Sequence, residues 1–407
     1  MYTGSDRIPT GVIPFFAAFA VYLFLAVLQT SFYRDFLPRE NRMNAVLLIL
    51  LLILLIRECC FESIDKASLL LLAAAILFFV TALMSGTLWT ACPFLLIYFG
   101  RRITPKRLFL FAFCCTAALV ALVILSSLAG LIENYQRIEV NRDNNRAYLG
   151  FLYALYPGAF LFNVTALIIC ARGRKIRMAT LVLLTAAAYY IYRRTDSRSI
   201  CLVTLVLIAA ALFWKFLPSF ARGLRKLFFA VIPLFPVCAV SSIVIAFRFN
   251  ESVRWMSRLD NVLTHRLTYM SESVSKYGIR LLGQEVGWVG YGLGSGGLTP
   301  VGDYLYVDNM YLNFLQRFGW IAFFTALVLV TVSLYAMYKK GRYELLFVFA
   351  LITLHGMLDD LSLQLVYNTF WIAAANALLP SPAAGPAEGV KRSLIRHHIT
   401  SGRQVLQ

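Results

Sequence analysis

The chain has 407 residues, of which 60% are hydrophobic and only 14% are charged, and its formal net charge is +18. About a quarter of the residues of a soluble domain are charged, so this composition excludes an ordinary soluble protein and predicts an all-α, polytopic membrane protein. The basic residues occur in short clusters at the ends of apolar runs, which is typical of loops that face lipid headgroups and argues against nucleic-acid binding.

The apolar runs predict about 12 transmembrane helices in a membrane domain of residues 1–379, because one span needs about 20 apolar residues. We expect no removable signal peptide, since residues 1–11 lack a basic region followed by a cleavage site. The eight cysteines lie in apolar segments or at their ends and are predicted to be free thiols. The predicted spans are 13–30, 45–56, 68–84, 88–99, 108–132, 148–170, 178–192, 200–217, 227–247, 309–338, 343–358 and 361–379.

The connections between these spans predict the orientation in the membrane. Short basic connections begin near Arg101, Arg172, Lys215 and Lys339, and cytoplasmic loops carry such an excess of lysine and arginine. They fall on one side only if both termini are cytoplasmic, and the basic tail at 380–407 agrees with this. The long polar loop at 248–306 is then extracytoplasmic, and we expect the protein in the cytoplasmic membrane.

Arginines also occur in the outer connections, where the orientation rule depletes them. Arg146 and Arg198 lie in two short outer connections, and Arg254, Arg258 and Arg266 lie in the long loop. Solvated loop charge is one interpretation of these residues. The other is an anionic ligand at the outer surface, because the planar guanidinium binds phosphate in two contacts.

The long loop predicts an amphipathic helix, because apolar residues recur at intervals of three and four from Met256 to Leu281. At about 100° per residue, Arg266 falls on the flank of the apolar stripe and is directed toward the protein. Arg254, Arg258, His265 and Glu272 project away from it. The glycine-rich segment 278–302 follows, and it predicts either a loop that approaches a phosphate or a mobile connector.

Further polar residues near the outer surface are candidates for the chemistry. Asp308 and Asn309 precede the tenth predicted span, where Asp308 serves either as a helix N-cap or in catalysis or acceptor binding. His355 and Asp359 are predicted to share a helix face, either as a structural pair or as functional groups. The four histidines show no metal-ligand spacing.

Several short patterns occur in order along the chain. They are Arg146-Ala-Tyr-Leu-Gly-Phe151 with Pro157, Thr195-Asp-Ser-Arg198, Leu263-Thr-His-Arg266-Leu267, Gly278 with Leu282-Gly283, and Val307-Asp-Asn-Met-Tyr311 with Gly319. Together, over roughly 146–360, they resemble the Wzy-type polysaccharide polymerases of the O-antigen polymerase/ligase superfamily. Polymerases of capsule and exopolysaccharide clusters look closest. Gly158 departs from the pattern, since the family often has asparagine after this proline.

The resemblance implies a GT-C-like fold and metal-independent glycosyl transfer without a cofactor. The growing glycan would leave undecaprenyl diphosphate and join a hydroxyl of the next lipid-linked repeat unit. Arginines would meet the charge of the leaving diphosphate, with Arg266 and Arg198 first and Arg146 third. Candidates for the base are Asp308, His265 and His355. Asn309 and Tyr311, within one of the quoted patterns, join Arg254 and Arg258 as candidate substrate-binding residues.

The expected partners are the lipid-diphosphate-linked oligosaccharide, membrane lipids, and a chain-length regulator and flippase of the same pathway. Two alternatives stay open. An O-antigen-type ligase would share the fold and the donor but use a different acceptor. A transporter or flippase would carry lipid-linked sugars across the membrane, but the mid-helix polar residues are few and mild, Asn163 and Asn376 among them, which favours an enzyme.

Overall fold

A computed structural model describes residues 10–62, 65–137, 145–217 and 223–380 of the chain. The described chain is mostly helical, and seven of its helices are long and apolar enough to cross a membrane. The predicted all-α architecture is confirmed at this coarse level, and the length and composition of these helices are consistent with a membrane protein. Of the predicted tail at 380–407, all but Pro380 lies outside the described residues.

The helices are numbered in chain order. The first seven are α1 (Ile13–Gln29), α2 (Glu40–Phe61), α3 (Lys66–Ser85), α4 (Leu88–Gly100), α5 (Pro105–Leu128), α6 (Tyr156–Arg172) and α7 (Met178–Thr195). The next seven are α8 (Arg198–Phe216), α9 (Val231–Arg248), α10 (Arg254–Val262), α11 (Arg266–Tyr277), α12 (Met310–Lys339), α13 (Tyr343–His355) and α14 (Phe370–Leu378). Two short antiparallel strands, β1 (Gln136–Arg137) and β2 (Arg146–Ala147), pair between α5 and α6.

Each predicted span contains one helix, but two of the helices begin later than the apolar pattern suggests. Before α6, Leu149 and Gly150 adopt left-handed conformations with φ of 50° and 84°, and a helix cannot continue through such residues. Before α14, the Asn368 side chain accepts the backbone N–H of Phe370 at 3.2 Å. The pattern of apolar residues does not reveal these local turns, so it overestimates the lengths of α6 and α14.

The bundle is organised around α6. Of the most apolar 18 residues in the span that contains α6, 72% are buried inside the protein. The corresponding share for α2 is only 22%. α6 packs against α5, α7 and α8, α3 packs against α4, and α9 packs against α12. The long helices other than α6 thus pack against the bundle on one side and expose apolar faces on the other, faces that lipid could cover.

The longest helix, α12, is interrupted at Gly319, which adopts φ 83° and ψ 174°. Beyond this break, the N–H groups of Trp320 and Ile321 donate to the carbonyl oxygens of Arg280 and Leu281 at 3.1 and 3.2 Å. Backbone groups inside a membrane must be bonded internally. The loop segment after α11 therefore inserts against α12 and supplies the acceptors that the broken helix lacks.

A buried cluster of charges joins the ends of α2 and α4. Arg57 and Arg101 are 2% and 0% exposed, and they pair with Glu62 and Glu58 respectively. The Tyr98 hydroxyl also donates to Glu58 at 3.1 Å. The sequence analysis placed Arg101 in a short basic connection, and the structure adds that its guanidinium is buried there against the Glu58 carboxylate of α2.

The amphipathic segment of the long loop forms two helices, α10 and α11, rather than the single helix that was predicted. Thr264 and His265 between them have φ of 55° and 61°. Their left-handed conformations end α10 and change the chain direction. The burial agrees with the predicted orientation all the same, since Arg266 is partly buried, whereas His265 and Glu272 are exposed.

Candidate functional site

Arg266 and Asp308 form an ion pair where the start of α11 meets the start of α12. The Nη2 atom of Arg266 lies 3.7 Å from Oδ2 of Asp308, and the two side chains are 23% and 17% exposed. This separation is too long for a hydrogen bond, and the described residues offer the Arg266 guanidinium no other ion pair. Arg266 can therefore still donate hydrogen bonds to an anionic ligand.

Asp260 determines how Arg266 is presented. The Asp260 carboxylate is 3% exposed and accepts hydrogen bonds from the backbone N–H groups of Leu267 and Thr268 at 2.8 and 3.1 Å. The N–H groups of a first helical turn have no partner within the helix. Asp260 satisfies two of them and so fixes the first turn of α11, in which Arg266 is the first residue.

The cap of α12 is Asn309. Its side-chain oxygen accepts the N–H groups of Tyr311 and Leu312 at 3.1 and 3.0 Å, and its amide donates to Ser242 at 3.0 Å. Asp308 was a candidate for this cap from the sequence, but the structure assigns the cap to its neighbour. The Asp308 carboxylate therefore remains directed toward Arg266.

Asn309 and Tyr311 are each 2% exposed. The Tyr311 hydroxyl donates to the carbonyl oxygen of Thr353 at 2.8 Å. The polar groups of both predicted substrate-binding residues are thus bonded within the protein. Their described contacts position the start of α12 against α9 and α13.

Tyr304 contacts Asp308 and is itself packed against two other tyrosines. The Tyr304 hydroxyl hydrogen-bonds the Asp308 carboxylate, and the Tyr304 ring stacks on Tyr291 at 4.2 Å and meets Tyr269 edge-on at 4.9 Å. Burial raises the pKa of Asp308, and the Arg266 charge and the Tyr304 hydrogen bond offset only part of that effect. A carboxylate in this environment is a stronger base than one in water.

Two further carboxyl groups, Asp359 and Asp360, lie buried in the connection between α13 and α14. Asp360 accepts hydrogen bonds from the Tyr306 hydroxyl at 2.8 Å and from the Asn313 amide at 3.0 Å. Burial raises the pKa of Asp359 to about 7, and the charge of Asp308 adds to this. Burial raises the pKa of Asp360 to about 8, and Asp359 and Asp308 add to this. The three carboxyl groups thus act on one another electrostatically.

His355 is the last residue of α13 and is 5% exposed. Among the described residues its Nε2 atom has no hydrogen-bond partner. The predicted helix face shared with Asp359 does not form, because α13 ends at His355 and the Asp359 carboxylate instead accepts the N–H of Leu361 at 2.8 Å. His355 is therefore a buried imidazole on which the charge of Arg266 acts, and its Nε2 atom has no partner among the described residues.

Two predicted arginines belong to neighbouring turns. Arg146 donates to the carbonyl oxygen of Thr195 at 2.9 Å, and its charge acts on the buried Tyr153, on which Asp308 also acts. Arg146 therefore approaches the site from the side of β2. Arg198 is 75% exposed and pairs with Asp196 at 3.0 Å, which holds it at the turn between α7 and α8.

The remaining predicted residues lie on the surface of α10 and at its end. Arg254 and Arg258 are exposed, and no described contact joins them to Arg266 or Asp308. The His265 side chain is 61% exposed, and its Nδ1 atom lies 3.2 Å from the Asp260 carboxylate. His265 thus supports the turn before Arg266, while its ring faces outward.

An apolar cavity of about 150 Å³ adjoins the site. α3, α4, α12 and α14 form its walls, and its lining runs along α12 from Met310 to Ser333. At 1.5 Å per residue the 23 steps from residue 310 to residue 333 give at most about 35 Å, because the break at Gly319 interrupts the helix, and a bilayer core is about 30 Å thick. Met310 is two residues after Asp308, so one end of the cavity lies within about 8 Å of Asp308 along the chain.

Sequence reasoning did not identify Asp360, Tyr153, Tyr304 and Tyr306 as part of this site. Asn313 could have indicated Asp360 from the sequence. It is a polar residue within an apolar span, and such a residue needs a buried polar partner. The tyrosines carry no such signal, because their proximity depends on how the long loop folds. Within the described ranges, no group of three or more His, Cys, Asp or Glu side chains could hold a metal ion.

Comparison with known proteins gives no relative for this chain. No family model matches it, and neither the curated proteins nor the solved structures contain a significant match.

Proposed function

We propose that the protein is a polysaccharide polymerase that joins oligosaccharide repeat units carried on undecaprenyl diphosphate. The observation that carries the proposal is the partly exposed Arg266–Asp308 pair, in which Asp308 is two residues along the chain from Met310, which lines the apolar cavity. A substrate with a diphosphate head and a polyprenyl tail matches both features. The resemblance of the short sequence patterns to Wzy-type polymerases supports the same reaction, on a GT-C-like scaffold and without a metal ion.

Arg266 is proposed to bind the diphosphate of the donor. The bond between the anomeric carbon and the diphosphate oxygen breaks in the reaction, and negative charge develops on the leaving group. A guanidinium already held in place stabilises that charge at little reorganisation cost. The 3.7 Å separation from Asp308 supports this role, because a tighter pair would occupy the donors of Arg266.

Asp308 is proposed to be the base. The acceptor hydroxyl oxygen forms the new bond to the anomeric carbon and loses its proton to the carboxylate. A raised pKa suits this role, because a base works best when its pKa approaches the working pH. His355, with its unused Nε2 atom, is the second candidate, whereas the outward-facing ring of His265 favours a supporting role.

The apolar cavity is proposed to hold part of the polyprenyl tail. Its walls are almost entirely apolar, with Leu71, Phe94 and Phe323 among the lining residues. The tail would come from the hydrocarbon of the bilayer, which is as apolar as the cavity, so the cavity would position the donor through packing contacts rather than through hydrophobic transfer. Its diphosphate would then lie beside Arg266.

The proposed topology has twelve spans, with both termini in the cytoplasm. Counting α1 to α9 and α12 to α14 as spans brings the short basic connections to one side and the long loop to the other. Seven of these helices are long and apolar enough to cross on their own, and α1, α4 and α13 are shorter apolar helices. The site then faces the outer leaflet of the cytoplasmic membrane, where a flippase of the same pathway would deliver the lipid-linked units and a chain-length regulator would act with the polymerase.

A ligase with the same donor and a different acceptor is the second candidate. The long loop favours a polymerase, since it lacks the longer histidine-bearing region expected of a ligase. A transporter of lipid-linked sugars would need charged groups along a path between the leaflets. The acidic cluster Asp308, Asp359 and Asp360 instead lies at one end of the helices that carry it.

The test compares polymer production in cells that lack the gene and carry either the wild-type chain or Arg266→Ala. We expect Arg266→Ala to leave single repeat units on the lipid and no long polymer. Arg280→Ala is the matched control, because Arg280 is an exposed arginine of the same loop, and it should restore full polymer. Immunoblotting of membranes checks that both variants accumulate.

Polymer of normal length and amount in Arg266→Ala cells would overturn the proposal. Lipid-linked units trapped on the cytoplasmic leaflet of the deletion strain would identify a transporter. Full-length polymer that fails to reach its final acceptor would identify a ligase.

A further inference from the structure

Helix α10 carries an apolar stripe that no described residue covers. Trp255, Leu259 and Val262 are 57%, 36% and 79% exposed. At about 100° per residue these three side chains fall within an arc of about 60° on one face of the helix. An aligned set of this kind on the surface indicates an interaction, whereas isolated exposed apolar residues do not.

Basic residues flank this stripe. Arg254 and Arg258 are both exposed and lie on the helix face next to Trp255. The opposite face carries Asp260, which is buried and bonded to the first turn of α11. α10 therefore has a fixed inner face and an outer face that is apolar at its centre and positively charged at one edge.

The position of α10 in the chain brings this face close to the bilayer. The preceding apolar helix, Leu224–Arg248, is long enough to cross a membrane, and α10 begins at Arg254. Even when fully extended, the connection between them reaches only about 20 Å. Phe247 in the last turn of α9 is 54% exposed, so the apolar surface of the spanning helix continues to this end.

We propose that α10 lies in the headgroup layer of the membrane and binds anionic phospholipids. Trp255, Leu259 and Val262 enter the boundary with the acyl chains, where tryptophan is enriched. Arg254 and Arg258 bind the lipid phosphates. The inference depends on the membrane insertion of α9 and not on the glycosyl transfer proposed above. It assigns Arg254 and Arg258 to lipid phosphates rather than to a substrate diphosphate.

Such contacts would hold the α10–α11 turn at a fixed height above the bilayer. Asp260 in α10 organises the first turn of α11, and Arg266 lies in that turn. The docked helix would therefore set the depth at which Arg266 meets a diphosphate carried in the same leaflet.

The experiment uses the full-length protein in lipid nanodiscs, with its native cysteines replaced and a bimane fluorophore at one new cysteine. Val262→Cys places the label on the apolar stripe, and Asn261→Cys places it on the neighbouring exposed residue, about 100° around the helix. Nitroxide-labelled lipid quenches from the bilayer, and iodide quenches from water. We expect position 262 to be quenched by the lipid and protected from iodide, and position 261 to behave in the opposite way.

Two outcomes overturn the proposal. Quenching of position 262 by iodide to the same extent as position 261 would show that the stripe faces water. Protection of position 262 from both quenchers would show that a protein, either a partner or a second copy of this chain, covers it. Neither quenching measurement depends on polymer synthesis. Failure of the lipid-binding proposal can therefore be distinguished from failure of the proposed function.

The role of the arginines has its own test. In nanodiscs containing phosphatidylglycerol, Arg254→Gln/Arg258→Gln should lower the ratio of lipid to iodide quenching at position 262, since each arginine near an anionic surface changes partitioning by about fivefold. The control is Arg193→Gln/Arg194→Gln, two exposed arginines at the end of α7, which should leave the ratio unchanged. An equal ratio in the double variant and the control would exclude the proposed phosphate contacts. Inorganic phosphate and chloride are also added separately at equal ionic strength. If only phosphate lowers the ratio of lipid to iodide quenching at position 262, the arginines bind free phosphate instead.

Discussion

The backbone of Leu282 approaches Gly319 so closely that a Cβ atom on Gly319 would lie 2.5 Å from the Leu282 carbonyl oxygen. This contact joins the loop after α11 to the interruption in α12. Gly319 also has φ 83°, a conformation that L side chains rarely adopt. The position of the loop on the membrane bundle therefore depends on a glycine at this residue.

Gly319→Ala should destabilise the protein. The backbone conformation alone costs about 1–3 kcal/mol for a residue other than glycine, and the contact with Leu282 adds to this. Thermal unfolding of the purified protein in detergent should show a lower Tm than for Gly292→Ala, where a Cβ atom would meet nothing within 4 Å. Equal melting temperatures for the two variants would contradict the described approach of the loop to α12.

Arg101→Met should also destabilise the protein, because it removes the closer of the two arginines that pair with the buried Glu58 carboxylate and leaves only Arg57, at 3.8 Å. Glu58 is 4% exposed, and breaking one side of a buried ion pair costs about 3–5 kcal/mol. Arg107→Met, which removes an exposed charge close by, should leave the Tm unchanged. The double variant Arg101→Met/Glu58→Gln should recover part of the loss, and no recovery would mean that Arg101 acts through contacts other than Glu58.

The two cases show what the sequence could and could not predict. Apolar runs identify the helices well, since burial in lipid requires a continuous apolar stretch, and α1 was predicted to within one residue. Hydrophobicity describes each segment separately, so it could not reveal that Glu58 of α2 pairs with Arg101, the residue after α4. It also could not reveal that the carbonyl groups of the long loop complete α12.

The candidate site also has a part that the sequence could predict and a part that it could not. Arg266 was predicted from the helical period to face the protein, and it is partly buried, although the single helix behind that prediction is broken at Thr264 and His265. The structure adds its partners Asp308 and Tyr304, but the proximity of Asp360 comes from the connection between α13 and α14, which is distant in sequence. Long-range contacts of this kind leave no periodic pattern in the sequence.

Asp360→Asn should make the stability of the protein less dependent on pH. The pKa of Asp360 is raised to about 8 in the folded protein, above the ordinary value of about 3.9 for an unfolded chain. The folded state therefore holds the proton more tightly, so this stabilisation is complete below about pH 4 and is lost as the pH rises toward 8. The groups that act on Asp360 are Asp359, Asp308, Tyr306 and Arg317.

The measurement is the Tm from pH 5 to 9 in detergent. The wild-type Tm should fall over this range, and Asp360→Asn should fall less, because the amide stays neutral and its oxygen can accept the same hydrogen bonds. Asp303→Asn, which changes an exposed carboxyl group of the long loop, should follow the wild type. If the Tm of Asp360→Asn depended on pH as steeply as that of the wild type, Asp360 would be ionised in both the folded and the unfolded state.

Asp308→Asn should abolish most polymer synthesis while leaving the fold intact. If Asp308 takes the proton from the acceptor hydroxyl, its loss should lower the rate of synthesis in isolated membranes by about 10²–10⁴-fold. The amide can still accept the hydrogen bond from Tyr304, so the Tm should change little. Asp303→Asn should keep the wild-type rate.

The pH profile separates this role from a purely structural one. A base must be ionised to act, so if Asp308 has this role, the rate of synthesis by the wild-type protein should rise with pH through the pKa of Asp308. Because burial raises that pKa, the acid limb should lie above the range of an ordinary aspartate. The small residual rate of Asp308→Asn should lack this limb, whereas the limb should persist in His355→Gln. An unchanged limb in Asp308→Asn together with its loss in His355→Gln would transfer the role of base to His355.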